Sequence, residues 1–432
     1  MPPSATVLRA FRHRNYRLFF SGQSVSLVGT WVTRIATSWL VYRLTGSAWW
    51  LGVVGFVGQL PTLLLAPVAG VLVDRWNRHR ILVVTQVLSM LQSAALAALA
   101  FAGRLSVGHI LALQALQGVI NAFDTPARQA FVVQMVEDRA DLPNAIALNS
   151  SMFNGSRIVG PAIGGALLAA AGEGWCFALD AASYVAVIAS LLAMRLPASA
   201  AGSPTTPAAA RAGVGADLRE GVRYAFGFPP VRSALVLVAL MGLFGMPYTT
   251  LMPAVAAGVL GGGPHTLGRL MTAGGLGALV GAFYLAGRSS VVGLGRVIMI
   301  GAVSAGLALV CFALSRSLWL SLAIMPVVGG AFMVTTASAN TVLQTILPEA
   351  LRGRVMALYT VAFLGTAPIG SLLAGAIAAR VGTPLTILGG GVGCALAGLW
   401  FARVLPSLRA HVRPIYAERG IIERIVETPV AG

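Results

Sequence analysis

Long apolar runs separated by short polar segments dominate the sequence from residue 17 to residue 405. Most of these runs reach or exceed the ~20 residues that an α-helix needs to cross a bilayer. Only 10% of the residues are charged, whereas a soluble domain carries roughly 25%. The pattern predicts an all-α membrane protein with twelve transmembrane helices. The predicted spans are 17–42, 49–72, 81–102, 107–134, 145–171, 175–195, 232–258, 266–287, 295–314, 318–346, 355–379 and 383–405.

The arginines give this arrangement an orientation. All 30 basic residues are arginine, and the termini and even-numbered loops hold 22 of them. The odd-numbered loops hold five, and three lie within predicted spans. Because basic residues accumulate on the cytoplasmic side of a membrane, both termini are predicted to be cytoplasmic. The net charge of +17 does not indicate nucleic-acid binding, since the arginines are scattered and not interleaved with aromatic residues.

The longest polar segment, residues 197–230, divides the chain into two parts. It begins rich in Pro, Ala, Ser and Gly and ends as a short amphipathic stretch, which predicts a flexible linker followed by an interfacial helix. The expected organisation is a six-helix bundle over residues 1–196, a second over 231–405 and a cytoplasmic tail over 406–432.

The two parts also repeat each other. At an offset of 210 residues, three glycines of the fifth predicted span match three of the eleventh. The matched sets are Gly155, Gly160 and Gly165, and Gly365, Gly370 and Gly375. This indicates a six-plus-six pseudo-repeat, an architecture that transporters commonly use with a binding site between the halves.

A charged turn, GVLVDRWNRHR, follows the second predicted span. Its notable positions are Gly70, Leu72, Asp74, Arg75, Arg78 and Arg80. The turn, the two halves and the long central segment resemble the major facilitator superfamily, whose corresponding loop reads G-x-L-x-D-R-x-x-R-R. The resemblance implies that Asp74 is a conformational latch facing the N-terminus of the eleventh helix and nearby arginines, with an interaction worth about 0.3–1 kcal/mol. Alternatively, the arginines only anchor the loop in the cytoplasm.

A second motif lies on the fifth span at Gly160, Pro161, Gly164 and Gly165. It is similar to the G-P-x-x-G-G of drug:proton antiporters in the same superfamily, where it accompanies export. Pro161 would kink the helix and the glycines would allow close helix approach, so plain packing is the alternative. The arginine that the family places three residues before Gln117 is Gln114 here, so proton coupling does not carry over directly.

Three further segments narrow the resemblance. FRHRNYRLFFSGQSVSLVGTW, NAFDTPARQAF and ASANTVLQTILPEALRGRVMALY are similar to the bacterial group that includes the enterobactin exporter and related drug exporters. This resemblance implies a multi-pass protein of the bacterial inner membrane that moves siderophores, drugs or other small amphipathic molecules.

Charged residues inside the spans are functional candidates because burying an unpaired charge is costly. They are Arg34, Asp124, Arg128, Arg157 and Asp180. Matched depth predicts a pair between Asp124 and Arg157 and a second between Arg34 and Asp180. Either acid could exchange a proton while its arginine switches partner, or the pairs could be permanent and fix helix register.

A central cavity would need further polar and adaptable apolar side chains. Candidates for its lining are Gln59, Gln114, Gln117, Asn154, Phe244, Tyr248 and Met333. Interhelical hydrogen bonds and ordinary packing account for these residues equally well.

The expected function is secondary active export of a small amphipathic molecule by alternating access, driven by protons, in a monomer without cofactor or metal. Import or facilitated diffusion is the nearest alternative, and a non-transporting scaffold or receptor is more remote. An enzyme is not expected, since neither H-E-x-x-H nor G-x-S-x-G occurs. A chain without lysine cannot carry the G-x-x-x-x-G-K-[ST] loop of a nucleotide-driven pump.

Overall fold

The computed structural model describes residues 8–195, 214–288 and 290–422. Within these ranges the chain forms helices joined by short turns. Their bounds are α1 Arg14–Thr45, α2 Ala48–Arg75, α3 Arg78–Phe101, α4 Val107–Met135, α5 Leu142–Ala171, α6 Glu173–Leu192, α7 Val214–Gly227, α8 Pro229–Val259, α9 Pro264–Ala286, α10 Leu294–Leu314, α11 Leu318–Ile346, α12 Glu349–Val381 and α13 Thr383–Glu418. Two single-turn 3₁₀ segments, Arg9–Arg12 and Arg139–Asp141, precede α1 and α5.

Nine of the described helices are long and apolar enough to cross a membrane, which makes the chain a multi-pass membrane protein. They are α2, α3, α6 and α8–α13. The long helices α1, α4 and α5 fall outside this set, and they carry Arg34, the pair Asp124 and Arg128, and Arg157. Four of the five charged candidate residues therefore lie on these less apolar helices, and the fifth, Asp180, lies on α6.

Several helix bounds differ from the predicted spans. Helix α12 begins at Glu349, because the polar turn before the predicted span is itself helical. Helix α13 continues past residue 405 to Glu418, so residues 406–418 of the predicted tail extend a membrane helix. The amphipathic stretch forms α7 as expected, whereas the linker residues 197–213 and the last residues, 423–432, lie outside the described ranges.

Helix ends follow from local chemistry. Proline occupies the first turn of α8, α9 and α13, where its missing N–H costs no hydrogen bond. Gly46 ends α1 in the left-handed region at φ 59°, which a residue without a side chain adopts freely. Asn77 caps α3 by accepting a hydrogen bond from the Arg80 backbone N–H at 3.0 Å. The charged turn is consequently a tight connection between α2 and α3.

Helices α1–α6 contact one another, and so do α8–α13. In the first set α1 packs on α5 and α6, α3 packs on α4 and α6, and α2 packs on α4. The main contacts between the sets are α5 with α9 and α2 with α12. Consecutive helices are thus often not the closest neighbours in space.

Glycines make both contacts between the sets. A Cβ added to Gly165 of α5 would lie 2.8 Å from Gly268 Cα of α9, and one added to Gly375 of α12 would lie 2.9 Å from Gly52 Cα of α2. Gly165 and Gly375 are 210 residues apart, the offset of the sequence repeat. Close backbone approach supplies the dispersion contacts that join helices in lipid, where no hydrophobic drive exists.

The same offset relates contacts within each half. Gly160 lies against Trp31 of α1, and Gly370 lies against the Leu243 backbone of α8. A short π-helical turn, Met241–Gly245, interrupts α8 at this contact, and a second, Val361–Gly365, interrupts α12. Such turns leave carbonyls without their usual partners, and the Thr366 hydroxyl donates to Ala239 O at 3.1 Å.

We expect Gly160→Ala to lower the melting temperature of the detergent-purified protein by several degrees. The added methyl group would overlap the Trp31 side chain, and overpacking costs about 1–3 kcal/mol. Gly155→Ala is the matched control on the same helix, because a Cβ there meets nothing within 4 Å. Equal melting temperatures for the two variants would contradict the close α1–α5 contact.

Candidate functional site

The two sets of helices touch at one end and separate at the other. The contacts join Gly165 to Gly268 and Gly52 to Gly375, and further along α2 Leu63 approaches Gly365. Towards the charged turn, the side chains of Leu64 and Val68 are exposed, as are those of Ile146 and Phe153 on α5. A Cβ added to Gly155 or Gly353 would meet nothing within 4 Å. An opening therefore runs between the sets from the end that carries the charged turn.

Asp74 lies at the rim of this opening. Its carboxylate pairs with Arg78 across 3.5 Å, and 71% of its side chain is exposed. The first segment of α12, where the predicted latch partner would lie, packs on α7 instead, through an ion pair between Glu220 and Arg354. In this conformation the carboxylate is paired within its own loop. Gly70 and Arg75 lie in the last two turns of α2 and Arg80 in the first turn of α3, with open space around Gly70.

The glycine motif on α5 faces two neighbours. Gly160 and Gly164 face α1, where Gly164 lies against Val32 and Ile35, and Gly165 faces α9. The Pro161 carbonyl approaches Gly268 of α9. These four residues set how closely α5 approaches a helix of its own half and a helix of the other half.

Asp124 does not pair with Arg157. It forms an ion pair with Arg128 of its own helix at 2.5 Å, and it accepts hydrogen bonds from the Thr85 hydroxyl at 3.0 Å and the Gln86 amide at 2.7 Å. The predicted pairing was wrong because α4 packs mainly on α2 and α3, whereas α5 packs on α1 and α9. Matched depth on consecutive helices did not make the two side chains neighbours.

Asp180 and Arg34 do not pair either, although α1 and α6 are in contact. Asp180 is 2% exposed, accepts a hydrogen bond from the Ser93 hydroxyl at 2.7 Å and lies beneath Gly29 of α1. Arg34 is five residues beyond Gly29, which turns it about 140° around the helix. Its guanidinium instead lies 4.9 Å from the centre of the Trp31 ring, and its side chain is exposed.

The polar cavity candidates divide between the opening and helix contacts. Gln117 donates to the Ser89 hydroxyl at 3.2 Å and to Asn121 at 3.1 Å, so it joins α4 to α3. Gln114 lies against Gly58 of α2, and Gln59 is half-buried on that helix. Asn154 is half-buried near Gly155, where the opening runs along α5.

The apolar candidates lie on α8 and α11. Phe244 and Tyr248 line a cavity of about 330 Å³ formed by helices of the second half, chiefly α8, α12 and α13. Phe244 packs against Gly393 of α13, so it faces away from the first half. Tyr248 also lies near Gly274 of α9, and half-buried Met333 lies one residue from Phe332, whose ring is 6.1 Å from that of Tyr248.

Sequence reasoning missed the partners of both buried acids. Arg128 was noted as a charge within a span, and its spacing of four residues from Asp124 is the signal of a same-face helical pair. Thr85, Gln86 and Ser93 gave no such signal. They lie on a different helix, and one sequence does not show which neighbouring helix a side chain faces.

A double-mutant cycle tests the observed pair. Asp124→Ala should destabilise the purified protein by about 3 kcal/mol, since it leaves Arg128 and Gln86 without their acceptor. Adding Arg128→Ala should recover part of that loss, whereas Arg157→Ala should add independently of Asp124→Ala. Thermal unfolding of the four variants checks this, and coupling to Arg157 rather than Arg128 would contradict the structure.

Relatives of the chain include named transporters. The chain is 30% identical to the multidrug efflux pump Tap of Mycolicibacterium fortuitum, over 88% of this chain and 93% of Tap. It is 26% identical to the staphyloferrin A transporter of Staphylococcus aureus, over 83% and 88% of the respective chains. Identity to the enterobactin exporter EntS of Escherichia coli is 25%, over 92% and 93%.

Solved structures share the fold. A bacterial homolog of the human lysosomal transporter Spinster, in an inward-facing and occupied conformation, matches with a TM-score of 0.70 over 91% of this chain and 97% of that chain, at 14% identity. A peptide transporter of the POT family matches with a TM-score of 0.72 over 91% and 94%, also at 14% identity.

The family comparison confirms the resemblance drawn from the charged turn and the glycine motif, and with it the expectation of a transporter rather than an enzyme. Residues 5–418 match the family described as transmembrane secretion effectors. The chain belongs to this family of the major facilitator superfamily.

Proposed function

We propose that this protein is a secondary active exporter of small amphipathic molecules in the bacterial inner membrane. Its twelve long helices cross the bilayer as two pseudo-symmetric six-helix bundles, residues 1–196 and 231–405. The bundles rock against each other about the contacts of α5 with α9 and α2 with α12, which is the usual form of alternating access.

The opening between the halves carries this proposal. The halves meet through bare glycine backbones at one end, Gly165 with Gly268 and Gly52 with Gly375, and separate at the other. Such a contact involves little interlocking of side chains, so it can part and reform at low cost. The arginine bias of the loops assigns the open end to the cytoplasm, and the present conformation is then the one that receives cargo from inside the cell.

The outward direction is favoured by two observations. The motif at Gly160, Pro161, Gly164 and Gly165 resembles that of exporting antiporters. Two of the named relatives are an efflux pump and an exporter, with 30% and 25% identity. An importer would use the same fold, so the measured direction of flux decides between export and import.

Protons are the proposed energy source, because no nucleotide-binding loop occurs in the sequence. Asp124 and Asp180 are the acids embedded in the described membrane helices, and both are 4% exposed or less. Asp180 has one carboxylate oxygen without a hydrogen-bond partner, which makes it the better candidate to take up a proton.

Inside-out vesicles test the proposal directly. Vesicles containing the protein should accumulate members of a panel of fluorescent amphipathic cations, neutral compounds and anions when the lumen is acidified. Nigericin should abolish that accumulation by collapsing the pH gradient. Accumulation that survives nigericin would contradict proton coupling, and accumulation only in right-side-out vesicles would contradict export.

Asp74→Asn should leave folding intact and slow transport several-fold, because the latch attraction to the N-terminus of α12 would be weakened in the state closed to the cytoplasm. Vesicle flux and size-exclusion chromatography measure the two effects. Glu137→Gln, which removes an exposed carboxylate from the loop between α4 and α5, is the matched control. Wild-type flux in Asp74→Asn would contradict the latch.

A further inference from the structure

The charges inside the described helices are segregated by sign. Asp124 is bound by Arg128, Thr85 and Gln86 at the contact of α3 with α4. Asp180 is bound by Ser93 of α3 and covered by α1. Both acids are therefore enclosed within the packing of the first half.

Two arginines remain without such compensation. Among the described residues, neither Arg34 nor Arg157 has a carboxylate within ion-pair distance. Both lie within long helices, α1 and α5, yet the side chain of Arg34 is exposed and that of Arg157 is half-exposed. A charged side chain that is accessible within a membrane helix faces water or a cavity in preference to lipid.

The two guanidinium groups share one region. Helices α1 and α5 are in close contact where Gly160 meets Trp31 and Gly164 meets Ile35. Arg157 lies one turn before Gly160 and Arg34 one turn after Trp31, so the two arginines flank this contact. Like charges beside one helix contact repel each other in a low-dielectric interior, and an anion between or beside them offsets that repulsion.

Tyr248 of the second half lies near Arg157. The backbone carbonyl of Arg157 lies 3.1 Å from the Cβ position of Gly275 on α9, and the Tyr248 hydroxyl lies 3.9 Å from that of Gly274. Arg157 and Tyr248, which belong to different halves, thus both lie beside the Gly274–Gly275 segment of α9.

We infer that Arg34, Arg157 and Tyr248 bind a carboxylate of the transported molecule, so that the cargo is an amphipathic anion. This inference rests on the proposed transport function. Arginine presents a planar fork that matches a carboxylate in two parallel hydrogen bonds, and the phenol supplies a further donor. The second half offers no competing acid, since Glu349 at the start of α12 is the one acid between residues 231 and 405.

The position of the site fits alternating access. Arg34 and Arg157 belong to the first half and Tyr248 to the second, so a carboxylate held by all three bridges the halves. Bound cargo would offset the repulsion of the two arginines in one conformation. In the other conformation Tyr248 would separate from the arginines. This would weaken binding of the carboxylate and favour its release.

Three fluorescent probes that differ in one group test this inference: pyrenebutyrate, pyrenebutanol and pyrenebutylammonium. Binding is measured by fluorescence in phosphatidylcholine nanodiscs, which contain no anionic headgroup. We expect wild-type protein to bind pyrenebutyrate at least about tenfold more tightly than the other two. Arg34→Gln and Arg157→Gln should each weaken pyrenebutyrate binding about tenfold, a loss of ~1.4 kcal/mol each, with little change for the alcohol.

Arg43→Gln is the matched control, because this arginine pairs with Glu173 at the far end of α1. It should leave the carboxylate preference unchanged. Arg34→Lys and Arg157→Lys should each keep part of the preference, since the charge remains without the planar fork. The wild-type comparison does not depend on the folding of any variant.

The outcomes separate this inference from the transport proposal. Wild-type protein that prefers the alcohol or the ammonium probe, or fails to bind pyrenebutyrate, overturns the anion site. Vesicle transport of the ammonium probe alone would overturn the anion site and leave the exporter standing. Tight pyrenebutyrate binding without flux of any probe or panel compound would support the site and contradict the exporter.

Discussion

The close contact of glycine backbones across the two halves is the interaction on which the rest of this structure depends. Lipid does not drive helices together by the hydrophobic effect, so association relies on dispersion between closely apposed backbones. Gly165 with Gly268 and Gly52 with Gly375 provide this at one end only. Because the contact is confined to that end, the helices diverge beyond it, and an opening forms between the halves. The same contact sets where the opening ends, beside Arg157 and Tyr248.

Charge is distributed unevenly around this frame. The first half encloses its two acids among hydrogen-bond donors and leaves Arg34 and Arg157 unpaired by any described carboxylate, whereas the repeat positions 210 residues later are Phe244 and Ala367. The two halves therefore share the glycine contacts of the repeat but not its charged residues. A pair of cations without a carboxylate partner is costly in a low-dielectric setting, and the proposed recognition of an anion accounts for its presence.

Much of the fold and part of the site could be predicted from sequence. Apolar runs and turn chemistry are local properties, so the helices were predicted within several residues, although the helical continuation of α12 and α13 into polar sequence was not. The charged turn and the glycine motif were recognised because spacing within one segment carries them. The partners of Asp124 and Asp180 were predicted wrongly. Depth along a helix can be counted, but which neighbour a side chain faces depends on packing between distant segments.

By itself the sequence determined a helical multi-pass membrane protein and its family, because hydropathy and motif spacing are written along the chain. The tertiary structure alone decided which charges pair and which stand free. Helix α4 turned Asp124 towards Arg128 and α3, α6 enclosed Asp180 beneath Gly29, and the α1–α5 contact placed Arg34 and Arg157 on either side of the Gly160–Trp31 approach. The physical reason is that ion pairing depends on a few ångströms of separation, and only the packing of helices distant in sequence fixes such distances.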